Sequence, residues 1–407
     1  MSGVAGSASV TVFDNARLVF ADRIVQGAVV VESGFIRDVL PGQNARGRYA
    51  GSRRIDADGL YLSPGFIDIH AHGAGGADFM DGTGEAVVTA CRAHLLHGTT
   101  TIVPTTLASR LDELSSVLAL ITEFTPGGTR SRPDMPEIPG IHVEGPYFSV
   151  QQKGAQDPRY LKNPDPDEYR RLLDAFPVIR RWTVAPELPG ALEMGRELAR
   201  RGVVASIGHS DAVYEEVEEA CRSGYSLVTH LYNGMSRLVR RNAVMHPGVA
   251  ESALILDELS VEVIADGMHL PRSMLELVYR VKGPDRICLV TDSMRAAGLD
   301  VTESVLGSLA GGQRVLVDDG VAWLPDRSFF AGSVATADRL VRTMKGVRGV
   351  PLEHAVRMIT LTPARLMGLG DRKGSLEAGK DADVVLFDDE VRVRFVMARG
   401  KVALSDL

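Results

Sequence analysis

Apolar, strand-like runs in this chain repeatedly end in histidine or an acid. They are 66–72 (FIDIHAH), 138–144 (IPGIHVE), 203–209 (VVASIGH), 227–230 (LVTH), 261–269 (VEVIADGMH) and 287–292 (ICLVTD), and six of the ten histidines lie on them. Parallel strands closed into a ring deliver their C-terminal ends to one face, so residues 70, 72, 144, 209, 230, 269 and 292 are expected to meet in one pocket. Imidazoles and carboxylates gathered there are what a divalent metal and a hydrolytic water require.

The rest of the pattern fits such a ring. Strands are expected at 66–72, 99–106, 138–145, 180–187, 203–210, 227–233, 261–267 and 286–293, with helices at 84–96, 109–124, 165–175, 189–201, 212–222 and 271–281. Strand and helix alternating to a count of eight point to an α/β fold, a (β/α)8 TIM-type barrel. An open doubly wound sheet is the alternative, disfavoured because no GxGxxG follows the first strand. Helices at 334–346 and 352–368 close the barrel, and the Gly/Asp-rich stretch 294–332 reads as a hairpin inserted over its mouth. Asp211 is expected to cap the helix at 212–222. Short β runs at both ends suggest a small β-sandwich built from the two termini, giving segments 1–62, 63–369 and 370–407.

Bulk properties narrow the partners. With 407 residues, a net charge of −7 and no Lys/Arg block, nucleic acid is not expected. No run reaches the roughly 18 apolar residues of a membrane span. MSGVAGSASV lacks a basic region followed by an apolar core, so it reads as a loose tail rather than a secretory signal. Cys91, Cys221 and Cys288 are odd in number and widely spaced, which argues against disulfides or a zinc–cysteine site. A reducing, cytoplasmic setting is expected.

His70 and His72 form an HxH on the first strand, where residues i and i+2 face the same way and can reach one ion. Asp68 shares that face and is expected to orient a histidine. Glu144 is costly to bury unless paired or metal-bound; His142, on its face, suits a supporting role better than ligation. His209 and His230 end successive strands and join the ligand candidates. Asp292 suits a base beside metal-activated water. His94, His97 and His354, on predicted helices, are expected at the surface, and His246 in a loop.

These residues resemble the amidohydrolase superfamily and, within it, the N-acetylglucosamine-6-phosphate deacetylases. The resemblance rests on PGFIDIHAHG, HVEGPYFS, KGAQDP, VAPE, IGHSDA, THLYNGM, IADGMHL, VTDS, AGS at 331–333, TPAR and GSLEAGKDADVVLF, which occur in order along nearly the whole chain. It implies Glu144, His209 and His230 as the main metal ligands, with His70 and His72 making a second ion plausible and Glu144 bridging. The ion would be zinc, iron, cobalt or manganese, one or two per subunit. The resemblance further implies Asp292 as general acid/base and His269 as a hydrogen-bonding partner of the substrate near the scissile amide. Ala155, Gln156, Asn233, Gly234, Arg241, Phe330, Ala331, Gly332 and Ser333 would contact an amino-sugar substrate, in a homodimer. Two positions depart from the family. Gln156 stands where histidine is usual, and Met245 where an arginine usually reaches the phosphate, leaving Arg237, Arg240 and Arg241 as substitutes. A related amidohydrolase with another N-acetyl sugar or other amide or amidine substrate, and a catalytically silent scaffold, are the competing readings.

Overall fold

The computed structural model describes residues 10–407 except Arg46, Ala50 and Pro133, and the backbone but not the side chain of Arg241. The expected N-terminal tail lies outside these residues apart from Val10. Eight parallel strands occur where expected: Phe66–Ala71, Thr99–Pro104, Ile141–Glu144, Ile179–Val184, Val204–Ile207, Tyr225–Val228, Ser260–Val263 and Ile287–Leu289. The last six pair in chain order as one sheet, and the first two form a second parallel pair. Bridges join Thr101 to Glu137 and Thr105 to His142 at one seam, and Ala71 to Ser293 at the other. At the latter seam Asp292 N donates to His70 O at 2.9 Å and His72 N to Ser293 O at 2.8 Å.

The helices have local causes. Pro166–Ala175 begins at Asp165, whose carboxylate accepts from Asp167 N at 2.9 Å, with Pro166 in the first turn. Tyr169, Leu172 and Leu173, at i, i+3 and i+4, form its buried face. The expected helix at 352–368 is instead two pieces, Leu352–Arg357 and Leu361–Leu366. Pro363 has no N–H to donate back into a continuous helix, so the run restarts before it. Asp211 is not the cap expected of it. Tyr214–Arg222 starts after Val213, whose N–H donates to Glu216 at 2.9 Å, while Asp211 accepts from Gln152 Nε2 at 2.8 Å. A short helix, Val249–Ile255, and a hairpin, Val239–Arg241 with Val244–His246, follow the sixth strand.

Strands from both chain ends form one eight-stranded sheet in which Tyr61–Pro64 pairs with Val384–Phe387. Its own core includes Phe13, Leu18, Val29, Leu62, Leu386 and Phe395. The 294–332 stretch is larger than the expected hairpin: Glu303–Leu306, Gln313–Asp318, Val321–Trp323 and Phe330–Ser333 make a four-stranded antiparallel sheet.

His94 departs from its expected surface position. It is 1% exposed, with Nε2 3.1 Å from Ser293 Oγ. His97 remains partly exposed and pairs with Asp338 at 3.1 Å, and His354 Nδ1 meets Tyr279 Oη at 2.7 Å. Burial pushes the His94 imidazole down from 6.5 to about 4. Between those values the unfolded chain binds a proton that the folded one refuses, so this stability is present above pH 6.5 and lost as pH falls toward 4. The depression corresponds to roughly 3 kcal/mol. His94→Gln is therefore expected to flatten the loss of urea stability between pH 6.5 and pH 4; an unchanged slope would show that His94 does not titrate this way.

Candidate metal centre

Three of the converging side chains sit where a strand breaks off into a turn. His209, His230 and Asp292 have φ of 48°, 28° and 44°, in the left-handed region that non-glycine residues seldom occupy. Such backbone persists where surrounding structure enforces it, and it clusters at functional sites. Two glycines make room for these turns. A Cβ on Gly208 would lie 2.6 Å from Thr183 Cγ2, and one on Gly234 would lie 2.8 Å from His209 Nδ1.

The side chains then meet. Glu144 Oε1 lies 3.1 Å from His230 Nε2, 3.4 Å from His209 Nε2 and 3.5 Å from His70 Nε2. His72 Nε2 is 3.3 Å from Glu144 Oε2 and 3.2 Å from Asp292 Oδ1, which is itself 3.3 Å from His70 Nε2. Two triads result, His70–His72–Asp292 and Glu144–His209–His230, each with its donor atoms within 4.8 Å of one another and all six residues buried. Sequence spacing had placed these six at one pocket, and the structure brings them together.

Supporting contacts orient the rings. His209 Nδ1 meets Gln152 O at 2.9 Å, and its ring lies 4.4 Å from that of Phe148. Gln156 is held between Glu144 Oε2, to which its amide donates at 3.0 Å, and Ala108 N, which donates to it at 3.0 Å. His142 lies between Thr105 Oγ1 at 3.1 Å and Thr183 Oγ1 at 2.7 Å, beside the triads rather than in them. Asp68 accepts from the backbone N of His70 at 3.2 Å and from Thr291 Oγ1 at 2.6 Å, so it holds backbone rather than an imidazole. The His70 ring is held instead by Glu262 at 3.0 Å, a residue the sequence reading did not single out.

The electrostatics of the centre are set by burial and by charges close to one another. Burial works to raise the Glu144 carboxyl, but the charge of His70 and hydrogen bonds from His209 and His230 hold it well below the usual range. Burial opposes protonation of His70 too, yet Glu262, Asp292 and Glu144 together push it up to about 9. His72 is likewise raised, by Asp292 and Glu144, against its burial. Buried carboxylates thus favour positive charge among them, and Arg181, in direct contact with Glu262, supplies part of it. A divalent ion would add to that charge, with the same nitrogen and oxygen atoms as its ligands. A donor set of four imidazoles and two carboxylates without thiolate suits zinc, iron, cobalt or manganese.

The triads form the floor of a cavity of about 620 Å³ that also exposes His269, Asn233, Gly234, Arg237, Trp323, Phe330 and Gly332. His269 Nδ1 is fixed by Asp266 Oδ2 at 2.7 Å, and its ring packs 4.5 Å from Phe330. Asn233 Nδ2 reaches His230 O at 3.3 Å. Three predicted contact residues lie off this cavity: Ala331 and Ser333 are fully buried behind it, and Ala155 faces a smaller neighbouring cavity. Arg240 lies exposed on the hairpin beside the cavity, as does Met245; the Arg241 side chain is outside the described residues.

Residues 61–403 match the Amidohydrolase family. The chain belongs to that family. It is 35% identical to an N-acetylglucosamine-6-phosphate deacetylase of Lysinibacillus sphaericus over 87% of this chain and 88% of that one. It is 33% identical to the Homo sapiens protein of that name over 99% and 98%. A Mycobacterium smegmatis N-acetyl-D-glucosamine-6-phosphate deacetylase mutant, solved in complex with N-acetyl-D-glucosamine-6-phosphate, superposes with a TM-score of 0.87 at 30% identity, covering 98% of this chain and 100% of that one. The Pasteurella multocida enzyme gives 0.88 at 29% identity, over 97% and 99%. An enamidase at 16% identity and TM-score 0.63 shares the fold alone.

Glu144 touches four imidazoles at once. Glu144→Gln is expected to leave the circular dichroism spectrum intact but to strip most bound metal, as measured by elemental analysis. Full metal content in the folded variant would contradict its place at the centre.

Proposed function

We propose that this amidohydrolase removes the acetyl group of N-acetylglucosamine 6-phosphate, giving glucosamine 6-phosphate and acetate. The observation that carries this is the buried double triad at the floor of a cavity large enough for a sugar phosphate, in a chain alike over almost its full length to deacetylases of that specificity. The eight alternating strands read as a closed (β/α)8 barrel, supported by the hydrogen bonds across both seams. The terminal sheet reads as its small companion domain, with boundaries near residues 62 and 369. A small amino sugar is the partner. No described helix is long and apolar enough to cross a membrane; cytoplasmic residence and a homodimer are part of the proposal.

Glu144, His209 and His230 would hold one ion, and His70, His72 and Asp292 a second. The ion supplies Lewis acidity that makes water nucleophilic near neutral pH and polarises the acetyl carbonyl. Asp292 is held ionised: burial would raise its carboxyl, but the charge of His70 and the hydrogen bond from His72 lower it to about 2. It therefore serves as the base that takes the proton of the attacking water and returns it to the amine nitrogen as the C–N bond breaks. Asp266 holds Nδ1 of His269 at 2.7 Å and fixes the ring, so that Nε2 faces the acetyl oxygen where negative charge builds. Trp323 and Phe330, 4.4 Å apart, form an aromatic wall against which a sugar ring can lie. Arg237 at the rim is the cation placed to meet the 6-phosphate.

Asp292→Asn is expected to keep metal and fold while acetate release falls by about 10² to 10⁴-fold; near-normal turnover would remove Asp292 from this role. Arg237→Ala is expected to raise KM about tenfold for N-acetylglucosamine 6-phosphate, the cost of about one charged contact, and to leave the unphosphorylated sugar unaffected. Equal KM changes for both sugars would place the phosphate elsewhere.

A further inference from the structure

Beneath the triads lies an ion pair that the reaction itself does not use. Arg181 and Glu262, on the fourth and seventh parallel strands, have side chains with 0% exposure and are in direct contact. Apart from a 3.4 Å contact of Arg181 with Ser206 Oγ, their other hydrogen bonds lead toward the metal centre. Glu262 Oε2 meets His70 Nδ1 at 3.0 Å and accepts the backbone N–H of His230 at 3.1 Å, so one oxygen touches a member of each triad. Arg181 donates to Ile69 O at 3.1 Å and to Thr229 Oγ1 at 2.9 Å, the residues immediately before those two histidines.

A fully buried ion pair gives little net stability over apolar residues of the same volume, because desolvation offsets the attraction. Its placement therefore needs another reason. An imidazole that donates Nδ1–H to a carboxylate has its tautomer and ring plane set, with the Nε2 lone pair turned outward. Here Nε2 of His70 points at Glu144 and Asp292.

We propose that Glu262, kept in place by Arg181, is a positioning residue for the second metal: it fixes the His70 ring for ligation. This rests on the reading that His70, His72 and Asp292 hold an ion. The test is cobalt(II) titration of chelator-treated protein, following visible absorption and bound metal by elemental analysis. Glu262→Gln, and the double variant Arg181→Met with Glu262→Leu, which leaves no unpaired charge if the single variant misfolds, are compared with His70→Asn. Both Glu262 variants are expected to bind the second cobalt about 10 to 100-fold more weakly, with the first changed far less and the melting temperature of the double variant preserved. Wild-type affinity for the second cobalt in the folded double variant overturns the proposal. Two tightly bound cobalt ions in His70→Asn would overturn it at its premise, because His70 would then not be a ligand at all.

Discussion

Buried negative charge around Glu144 is the constraint on which the rest of this molecule depends. Glu144, Asp292 and Glu262 all lie within 3.5 Å of the His70 ring, and all three are buried. Carboxylates so placed are tolerable only with cations among them. Arg181 answers part of that need below, and an ion held by the double triad would answer the rest. The cavity, its aromatic wall and the His269–Asp266 pair are arranged around that point.

The two sheets are held together by a second buried charge cluster of a different kind. Lys373, 1% exposed, sits between Asp383 at 2.5 Å, Asp381 at 3.0 Å and Glu137 at 3.4 Å. Glu137 bonds to the second parallel strand through its backbone, donating to Thr100 O and accepting from Ile102 N. Asp383 immediately precedes the terminal-sheet strand Val384–Phe387. Three acids around one ammonium, with Arg372 beside Glu137, tie the terminal sheet to the parallel strands.

The parts of this architecture legible in the sequence are those with a strong local signature. Eight apolar runs bounded by turns declare the strands, and histidine or acid at their ends is unusual enough to declare the centre. Glu262 escapes because VEVI reads as an ordinary strand with one polar residue, and nothing local says that this position faces the buried interior rather than solvent. Arg181 hides in RRW for the same reason, with Arg180 beside it exposed. His94 looks like a helix-surface residue until the helix Gly84–Leu96 turns that face onto Ser293. Asp211 has the chemistry of a cap, but Gln152, 59 positions away, claims its carboxylate. Such misses share one cause: competition from partners distant in the chain.

The terminal sheet bears on how the chain assembles during synthesis. Strand Tyr61–Pro64 runs directly into the first parallel strand, yet one of its neighbours, Val384–Phe387, lies more than three hundred residues further on. On the ribosome these earlier strands emerge first and must wait, with an edge uncovered, until more than three hundred further residues have been made. Edges of that sort invite pairing with other chains. The exposed charges of Arg17 and Asp389, which join the two ends at 2.9 Å once both exist, mark where that long delay is finally resolved.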